Sequence, residues 1–187
     1  MSIICRWTKG FIKLIKDNTL EVTLKSLQET HLANVFKWLT DPFVAENIGL
    51  RREPSESYTK EWFENAKHGN GIWAFAICCE DRHVGNVVLD NFDGYLSTIR
   101  LSVYIGEESF RGKGVAGKAI NIALVHAFHE IKVNKVWLIV HEKNQGAFKL
   151  YKNIGFQIEG KLREAFFFQG KLIDVFYMSM LKKESFC

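Results

Sequence analysis

Between a β-branched apolar run at residues 99–105 and a strongly periodic stretch beginning at Ala116 lies the sequence ESFRGKGVAGKA, residues 108–119. This junction constrains the fold more than any other part of the chain. Downstream, Ala116, Ala119, Ile120, Ala123, Leu124, Ala127, Phe128 and Ile131 recur every three or four residues, which predicts a helix with one buried face. Residues 135–140 follow with the run VWLIV, apolar on both faces, and read as a central strand parallel to the one before the helix. The three pieces make a βαβ unit with a glycine-rich strand-to-helix turn. Glycines let successive backbone N–H groups converge on one anion, and the helix adds the positive end of its dipole. Arg111 and Lys113 supply full charge, so the turn reads as a phosphate cradle.

The rest of the chain surrounds this unit. Residues 20–24 alternate as a strand, and Leu32, Val35, Phe36 and Leu39 recur at helical spacing until Asp41-Pro42 stops the helix. A second helix after Pro54-Ser55 carries Tyr58, Trp62, Phe63 and Ala66. Strands at 72–79, 83–89 and 99–105 then form a meander. Asn144 caps a helix bearing Ala147, Leu150, Tyr151 and Ile154, which Gly155 closes. Strands at 156–168 and 172–180 turn at Gln169-Gly170. At 187 residues the expectation is one domain, with residues 1–18 as an N-terminal extension.

Charge and cysteine content narrow the function classes. A net charge of +4 without Lys or Arg runs favours a small anionic ligand over nucleic acid. No apolar stretch approaches the roughly 20 residues that span a bilayer, and residues 1–16 have cations interrupting their apolar residues, unlike a signal peptide. The expectation is a cytoplasmic protein with no membrane partner. Cys5, Cys78, Cys79 and Cys187 form no CxxC pair, which favours reduced structural thiols over zinc or disulfides. His126 and His129 stand three apart on the long helix, but a third ligand is not evident, so they read as a solvated face and no metal is expected.

Gly112, Gly114 and Gly117 spell the dinucleotide fingerprint GxGxxG, but residues 107–111 separate the strand from the first glycine, and the acidic candidate Glu142 lies too far along. A P-loop fails because Gly114, not Ser or Thr, follows Lys113. Arg111-x-x-Gly114-x-Ala116 instead resembles the Q/R-x-x-G-x-G/A signature of the GNAT superfamily of N-acetyltransferases. Asn144-x-x-Ala147-x-x-x-Tyr151-x-x-x-Gly155-Phe156 resembles that superfamily's second signature. Val84-Gly85-Asn86, residues 89–93, Tyr104-Ile105-Gly106 and Gly170-x-x-x-Asp174 are similar to the branch with ribosomal-protein N-terminal, polyamine and amino-sugar acetyltransferases.

The resemblance implies an α/β (α+β) fold: a mixed, mostly antiparallel sheet of about six to seven strands with a splayed parallel pair, flanked by about four helices. It implies acetyl-CoA as co-substrate, its pyrophosphate on Arg111, Gly112, Lys113, Gly114, Val115, Ala116 and Gly117. Pantetheine would lie along Val103, Tyr104 and Ile105 of a bulged, splayed strand, where the N–H of Val103 or Tyr104 polarises the thioester. Asn144 sits at the splayed strand end, Lys149 is a candidate for the coenzyme phosphates, and Tyr151 would protonate the leaving sulfur. Relatives often carry a glutamate where this chain has Arg100, so no general base is assigned, with Asp90, Asp93, Glu46 and Glu53 as candidates. Arg100 and Asp90 are expected to bind the acceptor, Arg100 suggesting one with its own phosphate or carboxylate. The implied activity is direct acetyl transfer to a primary amine of a small molecule, an amino sugar or a polyamine. Alternatives are a protein N-terminal acetyltransferase and a silent acyl-CoA sensor. A homodimer fits the resemblance.

Overall fold

The computed structural model describes residues 5–8, 11–14, 20–50, 52–69 and 71–185. Along the chain run β1 (Cys5–Thr8), β2 (Phe11–Leu14), β3 (Val22–Ser26), α1 (Leu32–Leu39), α2 (Pro42–Ile48), α3 (Glu56–Lys67), β4 (Trp73–Cys79), β5 (Arg82–Asp93) and β6 (Thr98–Ile105). Then come α4 (Val115–Val125), β7 (Lys135–His141), α5 (Gln145–Ile154), β8 (Gln157–Phe168) and β9 (Lys171–Leu181). One sheet takes the order β1-β2-β3-β4-β5-β6-β7-β9-β8. Strands β3 to β9 are the mixed, mostly antiparallel sheet expected, with β6 and β7 as its parallel pair. The β1–β2 hairpin, which falls in the expected N-terminal extension, continues that sheet by pairing with β3.

The sheet is buried on both faces. On one, α4 packs Ala119, Ile120 and Ala123 against Val87, Leu89, Ile99, Leu101 and Leu138. On the other, Val35 and Phe63 of α1 and α3 cover Ala76 and Cys78. Cys78 and Cys79 are buried free thiols whose side chains enter different clusters, as alternation along a strand dictates.

Three expectations change. Asp41-Pro42 does not merely stop a helix; it starts another. The Asp41 carboxylate accepts the Phe43 N–H at 3.0 Å, and proline fits the first helical position, where a missing N–H costs nothing. The ladder between β5 and residues 101–105 of β6 keeps one register, so the expected bulge is absent there, and the irregularity lies at Asp90/Asp93. His126 is not on a solvated face: it falls three and seven residues after the buried Ala123 and Ala119 and packs against Phe75, while His129, within the π-helical turn over His126–Ile131, is exposed.

Candidate active site

Strands β6 and β7 pair only at Thr98↔Lys135, Ile99↔Val136 and Arg100↔Trp137, and beyond those pairs they diverge. The divergence leaves strand edges unpaired and opens a cavity of about 270 Å³. Val103, Tyr104 and Ile105 line one side and Ile139 and Val140 the other. Gly112 and Ala116 sit at one end, and Asn144, Ala147, Leu150 and Tyr151 come from α5. The splay thus brings together most of the residues expected at the coenzyme.

The cradle has the geometry an anion needs. Gly112 and Gly114 have φ of +72° and +77°, the left-handed region that glycine enters without steric penalty. A Cβ built on either meets no atom within 4 Å, so the space over the turn is open. Lys118 N–H bonds the Gly114 carbonyl at 3.3 Å as the first turn of α4 closes, which leaves the N–H groups of Val115, Ala116 and Gly117 ahead of the helical ladder. Those amides, at the positive end of the α4 dipole, suit a diphosphate.

Arg111 lines the cavity beside Gly112 and also has a structural role. Its Nε donates to the Ile105 carbonyl at 3.0 Å and its Nη2 to the Gly106 carbonyl at 2.9 Å and the Asp41 carboxylate at 2.8 Å. The guanidinium also lies 4.4 Å from the Phe43 ring centroid. It therefore latches the start of α2 to the end of β6. Lys113 and Lys149 are exposed, and only Lys113 sits on the cradle itself.

Tyr151 is buried on the cavity wall with its ring edge-on to Phe156, and burial pushes its hydroxyl up to about 12. Asn144 caps α5 by accepting the Ala147 N–H at 3.0 Å, a contact worth about 1 kcal/mol. Its Nδ2 donates at 2.8 Å to Oδ1 of Asn47. The Tyr104 side chain turns away to donate to Asn86 at 3.1 Å, so Tyr104 offers the cavity its backbone.

Arg100 and Asp90 are brought together, with each other: a bidentate pair at 2.8 and 2.7 Å, outside the cavity lining. The other carboxylates considered as bases are also placed elsewhere. Asp93 accepts the Tyr95 and Leu96 N–H groups, Glu46 accepts from Gln169, and Glu53 is exposed. What sequence reasoning missed is α2, whose Phe43, Val44, Asn47 and Ile48 form the cavity's remaining wall. Asp41-Pro42 was the available signal, as a capping residue followed by proline.

A mixed sheet parted at its parallel pair, with a helix N-terminus over the gap and a buried tyrosine at its wall, defines an enzyme that handles an acyl thioester of a pyrophosphate-bearing carrier. The family model "Acetyltransferase (GNAT) domain" matches residues 21–157, and the chain belongs to that family. It is 30% identical over 148 residues to "Putative ribosomal N-acetyltransferase YdaF" of Bacillus subtilis, covering 79% of this chain and 78% of the relative. It is 25% identical over 134 residues to spermidine N(1)-acetyltransferase of Escherichia coli, covering 71% and 72%. The crystal structure of spermidine N-acetyltransferase from Vibrio cholerae in complex with CoA and spermine superimposes with a TM-score of 0.83 at 26% identity, covering 87% of this chain and 96% of that one. A dodecameric structure of that enzyme matches with a TM-score of 0.76 at 26% identity, covering 87% and 94%. The protein is an N-acetyltransferase and its co-substrate is acetyl-CoA. Among the described residues no helix is long and apolar enough to cross a membrane.

Proposed function

We propose that this enzyme transfers acetyl directly from acetyl-CoA to a primary amine of a polyamine or similar small cation, in one domain and without a covalent enzyme intermediate. The observation that carries the transfer is the cavity between β6 and β7, roofed by the amides of residues 112–117 and walled by Tyr151. Acetyl-CoA, when bound, supplies the activated acyl group. The chain's residues hold its diphosphate on the cradle, pair its pantetheine with the free edge of residues 103–105, and aim one backbone N–H at the carbonyl oxygen. Such a pre-aimed donor is worth roughly 3 kcal/mol of barrier, and fixing two substrates in attack geometry more. Tyr151 meets the departing sulfur with a proton.

For the acceptor, a free cation at Arg100 would have favoured a phosphorylated amino sugar. Asp90 already neutralises that guanidinium, and the spermidine acetyltransferase relatives point toward a polyamine. A protein N-terminus is the second reading, supported by the relative with a ribosomal name. The dodecameric relative supports a homo-oligomer, for which a twofold dimer is the simplest unit. The expected cytoplasmic site of action belongs to the same reading.

Thiol release from acetyl-CoA, followed across spermidine, spermine, amino sugars and ribosomal N-terminal peptides, tests this. The expected result is turnover with polyamines at kcat/KM at least tenfold above the others. Turnover with peptides alone would replace the acceptor class, and CoA binding with no turnover on any amine would favour a sensor.

A further inference from the structure

The histidine that ends β7 is a buried titratable group with no role in the steps described so far. His141 is 2% exposed, and its ring packs against Phe166 and Phe168, with centroids at 4.9 and 4.6 Å. Its Nε2 lies 3.1 Å from Oδ1 of Asn47, and its Nδ1 is buried with no hydrogen-bond partner.

The surrounding amides fix where the imidazole proton sits. Oδ1 of Asn144 is occupied as an acceptor by the Ala147 N–H, so the group Asn144 turns to Asn47 is its Nδ2 donor. Asn47 must answer with its oxygen, which agrees with its own Nδ2 donating to the Phe43 carbonyl at 2.7 Å. An oxygen has no proton to give, so His141 must donate from Nε2. The neutral ring therefore carries its proton on Nε2 and a bare lone pair on Nδ1. An imidazole steered by a fixed oxygen on one nitrogen, with the other left basic, is the arrangement of a general base.

Position supports the same role. Val140 points to the α4 face, so His141, one residue on, points to the opposite face, where α2 and the β8–β9 hairpin close over the sheet. His141 itself stands behind the cavity lining, to which its partners Asn47 and Asn144 both contribute. We infer that His141 accepts the proton of the incoming amine on Nδ1, held in the required tautomer by Asn47 and Asn144. The inference rests on the reading of the chain as an amine acetyltransferase.

In the step, the amine nitrogen bonds to the acetyl carbon, and the C–S bond breaks with its electron pair leaving on sulfur. One proton passes from nitrogen to Nδ1 and one from Tyr151 to sulfur; the imidazolium then returns the balance through water to the tyrosinate. The flanking rings stabilise the transient cation, and the Nε2–H bond to Asn47 strengthens when the ring is charged.

Burial lowers the His141 pKa from its ordinary 6.5, so the ring is neutral and able to act at pH 7. The charged groups on the surrounding elements are Glu46 on α2, Lys135 on β7, Glu159, Lys161, Arg163 and Glu164 on β8, Lys171 and Asp174 on β9, and Glu142 and Lys143 after β7. Glu46 is engaged by Gln169, Lys135 by Glu159, and Lys161 by Glu142 and Asp174.

The test compares wild type with His141→Gln, which keeps a donor for Asn47 and removes the base, and His141→Phe, which keeps the aromatic stack. Wild-type kcat/KM for spermidine should show an inflection below pH 6.5, apart from the amine's own titration near 10. Both variants should lose that inflection and about 100-fold or more in kcat/KM, while the Kd for CoA stays within twofold. Nitrogen chemical shifts of wild-type His141 at pH 7 should report Nε2–H and bare Nδ1, a measurement independent of activity and of how the variants fold. Retention of the inflection in the glutamine variant, or an Nδ1–H tautomer in wild type, overturns the inference. Wild type that binds CoA yet acetylates no amine overturns the acetyltransferase reading first, a distinct result.

Discussion

Replacing Gly114 by alanine separates the folding role of the cradle from its binding role. The residue sits at φ +77°, so a methyl group costs about 1 kcal/mol in left-handed backbone strain. It meets no protein atom within 4 Å, so no packing clash adds to that cost. For a chain of this size the loss lowers Tm by about 2–4 °C. On the proposed function the same methyl would intrude where the diphosphate binds. Losing one amide-to-phosphate contact, at about 1.5–3 kcal/mol for a hydrogen bond to a charged group, weakens CoA binding about 10- to 150-fold. Gly170→Ala is the matched control: φ is +78°, the space is equally open, and the site is the β8–β9 turn. Calorimetry of CoA binding alongside thermal melts should give both variants the same Tm loss and only Gly114→Ala the weaker Kd. Equal CoA affinity in the two variants would refute the assignment of the diphosphate to this turn.

Other outcomes follow from the same contacts. Tyr151→Phe should lower kcat about 100-fold with the CoA Kd within twofold, read by pre-steady-state thiol release; normal turnover removes its role as acid. Gly106→Ala would drive a methyl into the buried Trp38 ring, so overpacking should cost about 1–3 kcal/mol in urea unfolding. Asp41→Asn keeps the α2 cap and weakens the Arg111 contact, whose hydrogen bond holds the Asp41 carboxyl below its ordinary 3.8. Because the folded value is the lower one, the stability gap between wild type and this variant should be full above about pH 4. It should close as pH falls through the depressed value, which denaturation midpoints at pH 7 and 2.5 would show.

Local patterns made the βαβ unit legible. A period of 3.6 in residues 116–131, the doubly apolar VWLIV and the glycines between them each depend on near neighbours, so strand, turn and helix could be placed before any tertiary contact was known. The same locality explains Asn144, whose capping partner is three residues away. What local spacing leaves open, distant atoms decide. Spacing puts Arg111 beside the cradle, and Asp41, seventy residues upstream, and two strand-end carbonyls engage its guanidinium. Arg100 and Asp90 cancel because antiparallel register sets them opposite each other. The π turn that begins at His126 re-phases only the residues after it, in a helix whose period looked unbroken.

The sequence by itself therefore determined that this chain builds an anion cradle at the start of a crossover helix and belongs with the acetyltransferases. Only the tertiary structure decided how the charges pair, and that His141, buried against two phenylalanines and tied to Asn47 on α2, has an Nδ1 with no hydrogen-bond partner. The physical reason is range. Backbone conformation follows from residues within a turn or a strand pair, whereas the ionic partners and the protonation state of a side chain depend on atoms that folding brings from far along the chain.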